Sequence, residues 1–467
     1  MRRRTKIVCT LGPAVDNRDV LAALIEAGMN VARLNCSHGD WDTRRRWVKW
    51  IRELSPGIAP IAILVDLQGP KFRIGEVPGG LMTVAAGQTL TVGPQEATIP
   101  IIQPEVLKEL DSNCRLLLGD GNVELKLGRQ LGANFEAKAV SGGTVRSRQG
   151  ITIVGRTFEC SCLTDKDRAD IKEAAACDVD YIALSYVHHA LDVEELRREV
   201  DQYDTEIRLC AKIETRAAVK EIDDIAKAVD LVMVARGDLG LQMEIEEVPI
   251  AQKRIIEHST RLGKPVITAT QMLESMISNP RPTRAEATDV ANAILDGTDA
   301  LMLSAETAAG QYPIECVKTM VRIAEHTEPY FDRTRIENDF HERATHSITH
   351  TEAVAHSVVD LSQFIKPRAI ITTTTSGQTS RLVSKFRPRA PILCVTWSTK
   401  VQAQMAVVWG VTAALIPAPE NTDDAIKHAL EVFVSAKRLK TGDLAVLTAG
   451  VPVGVAGHTN LILTKVV

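Results

Sequence analysis

Residues 207–240, IRLCAKIETRAAVKEIDDIAKAVDLVMVARGDLG, contain two apolar runs separated by a charged segment. The first run is typical of a β-strand and is followed by Lys212 and Glu214, and the second is followed by Asp238. The carboxyl ends of the strands gather on one face of a β/α barrel, where catalytic groups collect. Two carboxylates can hold a divalent cation while a lysine neutralises a bound anion. The stretch therefore predicts the floor of an active centre.

The same alternation of strand and helix extends along much of the chain. Three strands precede residue 69 and five follow residue 152. The predicted strands are 6–11, 30–34, 61–65, 181–184, 207–211, 231–235, 266–268 and 300–303. Because eight βα units close into a (β/α)8 TIM barrel, residues 1–68 and 153–330 are predicted to form a catalytic barrel of the α/β class.

Two further domains are predicted from the rest of the chain. Residues 69–152 are rich in Gly and Thr and contain short β-like runs without helical periodicity, which predicts a small inserted β-barrel domain acting as a lid. A polar segment after residue 330 is interpreted as a linker. The region 331–467 then returns to strands and helices, which predicts a C-terminal α/β domain on a mostly parallel sheet.

Composition limits the class of protein. The chain has 467 residues, 45% hydrophobic and 24% charged, with a net charge of −4, so neither a nucleic-acid partner nor a membrane surface is expected. Of nine cysteines only Cys160 and Cys162 are close in sequence, and they lack the spacing of a zinc site. A reduced, cytoplasmic protein is expected.

Further polar residues follow the other predicted barrel strands. They are Arg33, Asn35 and Ser37 after the second strand, Asp66 after the third, Thr270 after the seventh, and Ser304 and Glu306 after the eighth. Taken singly, Ser304 or Asn35 is more often a helix cap than a ligand. Their convergence on one face of the barrel favours a site.

Four stretches resemble the signatures of the pyruvate kinase family. They are RLNCSHG (33–39), KIET (212–215), VARGDLG (234–240) and GKPVITATQMLESMISNPRPTRAEATDVANAILDGTDALMLSAETAAGQYP (263–313). The resemblance implies the same three-domain layout. It also implies transfer of the phosphoryl group of phosphoenolpyruvate to ADP, giving pyruvate and ATP, the last step of glycolysis. A homotetramer is implied as well.

The resemblance implies roles for individual residues. Glu214 and Asp238 would hold Mg²⁺, with Mn²⁺ as an alternative, and the N–H groups of Gly237 and Asp238 would bind the substrate carboxylate. Lys212 would contact the phosphoryl oxygens, although a simple ion pair with Glu214 is the alternative. Arg33 would clamp phosphate of substrate and nucleotide.

Two further roles follow from the resemblance. Thr270, with Ser304 and a water, would protonate the enolate and would also contact substrate. His38 would contact the nucleotide, and a structural hydrogen bond at the helix start is the alternative.

The chain departs from the commonest family pattern after the third strand. Asp-Thr-Lys-Gly-Pro-Glu is replaced here by Asp-Leu-Gln-Gly-Pro-Lys at residues 66–71. In the family this region forms a K⁺ site, to which the side chains of Asn35, Ser37 and Asp66 and the Leu67 carbonyl would contribute. Lys71 places an attached cation where Glu stands, as in the subgroup that works without K⁺. Activity that needs Mg²⁺ but not K⁺ is therefore expected, and the alternative is that Lys71 points to solvent.

The C-terminal region contains a turn rich in hydroxyl groups before a predicted helix. A phosphorylated activator is expected to bind there, although such a turn is also a good helix start. The residues expected to contact its phosphate are Thr373, Thr374, Thr375, Ser376, Gly377 and Thr379.

Two other classes of protein share part of this pattern. A Mg²⁺-dependent carbon–carbon lyase would use Glu214 and Asp238 similarly, but has no need for Arg33, Lys212 and Thr270 together with a lid. A non-catalytic metabolite sensor would show damage at the metal and lysine positions, and none is visible.

Overall fold

The computed structural model describes residues 3–94, 96–119, 121–156, 158, 160–203, 206–344, 347–452 and 459–467. The chain begins with three strands joined by two helices: β1 (Lys6–Thr10), α1 (Arg18–Ala27), β2 (Val31–Asn35), α2 (Trp41–Leu54) and β3 (Ala62–Asp66). Local chemistry sets the bounds of α1. Asn17 accepts hydrogen bonds from the amides of Asp19 and Val20 at its start, and Gly28 ends it with φ of 124°.

The insertion after β3 is built mainly from short antiparallel strands around one apolar core. Its elements are β4 (Leu81–Val84), β5 (Thr89–Gly93), β6 (Ile99–Pro100), α3 (Pro104–Lys108), β7 (Arg115–Leu118), β8 (Val123–Leu131), β9 (Asn134–Ser141), β10 (Gly143–Arg146) and β11 (Ile151–Ile153). The strands form a six-stranded sheet, β11-β7-β8-β9-β5-β6, and a two-stranded sheet, β10-β4. In β9, buried and exposed residues alternate, so one face of the sheet covers the core.

The chain then returns to the barrel and completes it. The elements of this part are α4 (Asp165–Ala176), β12 (Tyr181–Leu184), α5 (Ala190–Val200), β13 (Arg208–Ile213), α6 (Arg216–Lys220), α7 (Ile222–Ala228), β14 (Leu231–Ala235), α8 (Arg236–Gln242), α9 (Val248–Arg261), β15 (Val266–Ala269), α10 (Arg284–Leu295), β16 (Ala300–Leu303), α11 (Ala305–Ala308) and α12 (Pro313–Thr327). The strands close in the order β1-β16-β15-β14-β13-β12-β3-β2. The prediction of an eight-stranded parallel barrel is confirmed.

The C-terminal part is a second α/β unit. Its elements are α13 (Thr334–Arg343), α14 (His350–Ile365), β17 (Ala369–Thr373), α15 (Gln378–Lys385), β18 (Ile392–Thr396), α16 (Thr399–Gln404), β19 (Val411–Leu415), α17 (Thr422–Ser435), β20 (Leu444–Ala449) and β21 (Leu461–Val466). The sheet order is β19-β18-β17-β20-β21, and β21 pairs antiparallel with β20.

Two features of this part differ from the sequence prediction. The segment interpreted as a linker contains helix α13, because its Phe340 is buried and stacks on His356 at 3.8 Å between ring centroids. The edge strand β21 was also missed, since five of its six residues are exposed and it pairs antiparallel at the edge of the sheet.

The barrel and the C-terminal sheet meet through buried polar contacts. Arg387 pairs with Asp299 at 3.0 Å, and both side chains are almost fully buried. Lys6, at the start of β1, donates a hydrogen bond of 2.6 Å to the Val411 carbonyl. Within the described ranges, no helix is both long and apolar enough to cross a bilayer.

Candidate active site

Lys212 lies at the centre of a buried group of charges at the carboxyl end of β13. Its Nζ lies 2.7 Å from Glu214 Oε1 and 3.3 Å from Asp66 Oδ1, and it donates a 2.8 Å hydrogen bond to Ser185 Oγ. Burial alone would lower the pKa of this lysine, but the charges of Asp66, Glu214 and Asp238 raise it above its usual value. Lys212 is therefore a fixed cation.

Asp66 joins Lys212 to the predicted phosphate clamp. Arg33 Nη2 lies 2.6 Å from Asp66 Oδ2, and Arg33 Nε donates to the same oxygen at 2.7 Å. A third contact, from Arg33 Nη1 to Thr10 Oγ1 at 2.9 Å, fixes the guanidinium plane. Although burial favours the protonated form of Asp66, the charges of Lys212 and Arg33 hold its pKa below the usual value. The two cations are thus held side by side on one ionised carboxylate.

Glu214 and Asp238 form a pair of carboxylates with different environments. Glu214 is buried, and its Oε2 accepts a 2.8 Å hydrogen bond from the Tyr186 amide. Its Oε1 approaches Lys212 without the alignment of a hydrogen bond. Burial raises the pKa of Glu214 to about 7, Lys212 opposes that shift, and the negative charge of Asp238 adds to it. Asp238, in the first turn of α8, is exposed. A buried carboxylate repelled by an exposed one suits a divalent cation with oxygen ligands.

Thr270 and Gly237 are joined directly. The Gly237 amide donates a 2.8 Å hydrogen bond to Thr270 Oγ1, and the Thr270 hydroxyl donates to the Ala269 carbonyl at 2.6 Å. Thr270 has φ of +68°, which is strained for a β-branched residue. The Ser304 hydroxyl is buried without a hydrogen-bond partner among the described residues. It is available to a bound water or substrate, as the expected proton relay requires.

Two residues of the site were missed by the sequence analysis, Ser185 and Arg236. Ser185 Oγ donates a 2.7 Å hydrogen bond to the Leu67 carbonyl while it accepts the one from Lys212. Arg236 Nη2 donates to the Thr270 carbonyl at 2.7 Å, and its Nη1 pairs with Asp289 at 2.8 Å. Ser185 comes directly after the fourth barrel strand, β12, and Arg236 directly after the sixth, β14. The first residue after each strand was therefore the signal that could have identified them.

The residues expected to form the monovalent-ion site are already partly engaged. Asn35 Oδ1 accepts a 3.0 Å hydrogen bond from the Ser37 amide, and the Leu67 carbonyl accepts the one from Ser185. Lys71 is half-buried rather than fully in solvent. Partial burial and the charges of Arg73, Lys166 and Lys212 lower its pKa, while Asp238 raises it.

His38 lies on the surface beside α2. Its side chain is exposed, and its carbonyl accepts a hydrogen bond from Arg44. Asp40, and not His38, caps the helix, because Asp40 Oδ1 accepts a 2.8 Å hydrogen bond from the Thr43 amide. His38 therefore does not cap the helix, although its carbonyl makes a structural hydrogen bond near the helix start, and its contact with the nucleotide stays a prediction.

The predicted activator loop lies far from these groups, against the amino end of β13. Gly377 has φ of +77°, and its amide donates to Thr374 Oγ1 at 2.9 Å. The Ser376 carbonyl accepts hydrogen bonds from Arg208, the first residue of β13, and from Arg381 at 3.2 Å. Arg208 Nη1 is buried without a hydrogen-bond partner in the described chain, so a cationic donor is free beside the loop.

The other residues expected to contact the activator differ in exposure. Thr373 and Thr379 are buried, and Thr379 Oγ1 lies 2.8 Å from Thr459 Oγ1. Thr375 and Ser376 are both half-buried.

Comparisons with known proteins agree with this geometry. The family model described as "Pyruvate kinase, barrel domain" matches residues 2–317, and "Pyruvate kinase, alpha/beta domain" matches residues 352–464. The chain is 43% identical to a pyruvate kinase of Geobacillus stearothermophilus, covering 100% of this chain and 81% of that protein. It is 40% identical to the pyruvate kinase of Corynebacterium glutamicum, covering 99% of this chain and 97% of that protein.

A solved structure is similar over almost the whole chain. The crystal structure of a pyruvate kinase from Cryptosporidium parvum matches with a TM-score of 0.93 and 34% identity. The match covers 99% of this chain and 96% of that one.

Proposed function

The chain belongs to the pyruvate kinase family, and we propose that the charges around Lys212 carry out the transfer of a phosphoryl group from phosphoenolpyruvate to ADP. The products are pyruvate and ATP, so the protein is a phosphotransferase. The observation that supports this assignment of residues is the contact of Lys212 and Arg33 with the two oxygens of one buried carboxylate, Asp66.

Phosphoryl transfer depends mainly on positioning and on neutralising negative charge. Lys212 and Arg33 present two fixed cations to the phosphoryl oxygens, and Asp66 holds both in place. Glu214 and Asp238 fit Mg²⁺, with Mn²⁺ as an alternative, and the bound ion neutralises negative charge on the substrate. The N–H groups of Gly237 and Asp238, at the start of α8, receive the substrate carboxylate, which then competes with Thr270 for the Gly237 amide.

The remaining steps use the loops after β15 and β16. Thr270, supported by the unpaired hydroxyl of Ser304 and a water, donates the proton that converts the enolate to pyruvate. Arg236 holds the Thr270 carbonyl and so keeps the hydroxyl in place. Arg33 and the exposed His38 are assigned to the phosphates of the nucleotide.

ATP formation from phosphoenolpyruvate and ADP tests the residue assignment. With Mg²⁺ present, Lys212→Met should lower kcat roughly 100- to 1,000-fold, because a preorganised charge is lost. Lys220→Met is the matched control, since Lys220 is exposed on α6 and should leave the rate unchanged. Equal activity of wild type and Lys212→Met would reject the role of Lys212, and an inactive wild type would reject the function itself.

Activity without K⁺ is part of the proposal. Lys71 is close to three other cations, Arg73, Lys166 and Lys212. Their positive charges repel a further cation, so a K⁺ ion would bind less favourably beside Lys71. The attached ammonium takes the place of the monovalent ion.

Rates in K⁺-free buffer, before and after adding K⁺, test this. The wild-type rate should change little, whereas Lys71→Glu should gain about tenfold or more from K⁺ because it restores a carboxylate. Lys126→Glu, on an exposed lid position, is the control. A wild-type rate that rises tenfold on adding K⁺ would refute K⁺ independence.

A phosphorylated activator is proposed for residues 373–379. Support comes from Arg208 Nη1, which has no hydrogen-bond partner among the described residues, and from Arg381, whose pKa is lowered to about 9 by burial and by the charge of Arg208. Two close guanidiniums are favourable for phosphate. Strand β13 connects Arg208 at one end to Lys212 at the other, which provides a physical link between the two sites.

Saturation kinetics in phosphoenolpyruvate test the activator. A sugar bisphosphate, a pentose phosphate or AMP should lower the half-saturating concentration roughly fivefold or more. Ser376→Asp should abolish the effect by repelling phosphate, whereas Ser357→Asp, exposed on α14, should not. No response of the wild type to any of the three would refute the site.

Assembly as a homotetramer is also proposed. The edge strand β21 exposes apolar side chains, with Val466 62% accessible, and Phe364 on α14 is 83% accessible. An exposed apolar edge strand is suited to pairing with a second copy. Sedimentation of the full chain tests it, since a monomer at micromolar concentration contradicts the proposal.

Cytoplasmic location stays a prediction of the sequence, as do the domain boundaries at residues 68, 152 and 330.

A further inference from the structure

Three side chains with metal-binding atoms converge beside the segment that returns from the lid to the barrel. Cys162 lies on that segment, His188 follows β12, and Asp192 lies in the first turn of α5. One ligand atom from each lies within 4.8 Å of the other two. Cys162 and His188 are buried and Asp192 is half-buried, so the cluster has one side open to solvent.

The hydrogen bonds of the protein leave ligand capacity at all three residues. His188 is 6% exposed, and its Nε2 has no hydrogen-bond partner among the described residues. The Cys162 thiol donates to the Tyr186 carbonyl at 3.0 Å. Asp192 Oδ2 accepts the amides of His188 and His189 at 2.7 and 2.9 Å, which fixes the carboxylate, and the same carboxylate is close enough to the Cys162 thiol to form a hydrogen bond with it.

We propose that Cys162, His188 and Asp192 form a binding site for a transition-metal dication, with Zn²⁺ the best fit. Sulfur, imidazole nitrogen and carboxylate oxygen together favour Zn²⁺ over Mg²⁺, which prefers oxygen ligands. Tetrahedral Zn²⁺ needs ligand atoms roughly 3.3–3.8 Å apart, so small side-chain rotations suffice. The solvent-facing position takes a water. On binding, the S–H bond of Cys162 breaks, its proton goes to solvent, and the thiolate forms the bond to the ion.

The place of the cluster in the fold indicates what the ion would do. Tyr186 accepts from Cys162 through its carbonyl and donates to Glu214 through its amide. The ring centroid of Tyr186 lies 5.5 Å from that of Phe72, and the centroid of Phe72 lies 4.1 Å from that of Phe158. Phe72 lies on the segment that leaves the barrel for the lid and Phe158 on the segment that returns, so the rings connect both segments. An ion held by Cys162 would fasten the returning crossing to the loop after β12 and restrict movement of the lid.

Co²⁺ and Zn²⁺ binding to the full-length, chelator-treated protein in excess Mg²⁺ tests the site, because Mg²⁺ occupies the catalytic carboxylates. One Co²⁺ per chain with thiolate-to-cobalt absorption is expected, and Zn²⁺ should displace it. Cys162→Ser should abolish the absorption, and His188→Asn should weaken affinity about tenfold or more. Cys177→Ser is the matched control, since Cys177 ends α4 outside the cluster and should bind as wild type does.

Several results would overturn the proposal. They are no bound ion at micromolar Zn²⁺, no thiolate-to-cobalt absorption, or wild-type affinity in His188→Asn. Phosphoryl transfer in Mg²⁺ by the variants without Zn²⁺ or Co²⁺ shows that they fold, because Cys162 and His188 are not among the residues assigned to that reaction. Amide exchange in the returning segment should slow when Zn²⁺ is added to wild type but not to His188→Asn. Unchanged exchange in ion-loaded wild type would reject the restriction of the lid.

Discussion

The hydroxyl of Ser185 lies between the Lys212 ammonium and the Leu67 carbonyl, at 2.8 and 2.7 Å. The Lys212 ammonium thus has three neighbours, Ser185 Oγ and the carboxylates of Asp66 and Glu214. Ser185 Oγ also lies 3.5 Å from Asp66 Oδ1, so this hydroxyl belongs to the same buried polar group.

Replacing Ser185 tests whether this positioning matters. Ser185→Ala removes a hydrogen bond to a charged group, worth about 1.5–3 kcal/mol, so kcat should fall roughly 10- to 100-fold. The pH profile should keep its shape because no ionisable group is removed. Steady-state kinetics measure the effect, with Ser357→Ala, exposed on α14, as the control. A rate within twofold of wild type would show that Lys212 is held by its carboxylates alone.

Thr270 is the residue at which proton donation can be separated from phosphoryl transfer. The enzyme should catalyse exchange of the pyruvate methyl protons with solvent deuterium, because the same hydroxyl serves both directions. Thr270→Ala should lower that exchange roughly 100-fold or more, the usual contribution of a positioned acid or base. Thr270→Ser keeps the hydroxyl and should retain most of it. NMR of pyruvate in D₂O measures the exchange, and equal rates in the two variants would assign the proton to another group.

At the scale of elements, strand β13 carries Arg208 at its amino end and Lys212 near its carboxyl end. Arg208 contacts the Ser376 carbonyl of the proposed activator loop. If a phosphorylated compound shifts that loop, we expect the shift to reach Lys212 through strand β13.

Arg208→Met tests that coupling. The variant removes both the loop contact and the unpaired Nη1, so the activator should no longer lower the half-saturating concentration of phosphoenolpyruvate. Binding of the phosphorylated compound, measured by calorimetry, should weaken as well. Arg322→Met, on α12, provides a control on another barrel element. Full activation of Arg208→Met would place the coupling elsewhere.

At the scale of the whole molecule, two buried groups join the barrel to the C-terminal sheet. Arg387 and Asp299 form an ion pair with side chains 2% and 5% exposed. Arg387→Met leaves Asp299 buried without its cation, which should lower the free energy of unfolding by about 3–5 kcal/mol. Urea unfolding measures it. Arg368→Met, whose side chain is 64% exposed, should change it by less than about 0.5 kcal/mol.

Lys6 makes the stability of the same interface depend on pH. Burial and the charge of Arg3, partly opposed by Glu328 and Asp299, lower its pKa from 10.5 to about 7. Between these two values the unfolded chain binds a proton that the folded chain does not, so stability rises with pH across that window.

Comparison with Lys6→Met isolates this effect. Wild type should gain stability relative to the variant as pH rises from about 7 to 10, by on the order of 3 kcal/mol. Urea unfolding of both proteins over that range measures the difference. A difference independent of pH would show that Lys6 stays protonated in the folded protein.

Much of the architecture could be predicted from patterns of residues that are close in the sequence. Apolar runs with polar residues at their ends located all eight barrel strands to within about two residues of the observed bounds, because burial on both faces requires continuous apolar strands. The same rule predicted that Lys212, Glu214 and Asp238 lie on one face. The resemblance of motifs then supplied the chemistry, and the comparisons bear out the family.

Other features depended on contacts between residues remote in the chain. Helix α13 is stabilised by Phe340 packing on His356, and β21 by pairing with β20, neither of which leaves a local pattern. The sharing of Asp66 between Arg33 and Lys212 depends on the strand order β2-β3-β12-β13 in the barrel. Cys162, His188 and Asp192 lack metal-site spacing in the sequence and meet only through folding. Periodicity reports which face of an element is buried, whereas tertiary packing alone sets which side chains from different elements come within bonding distance.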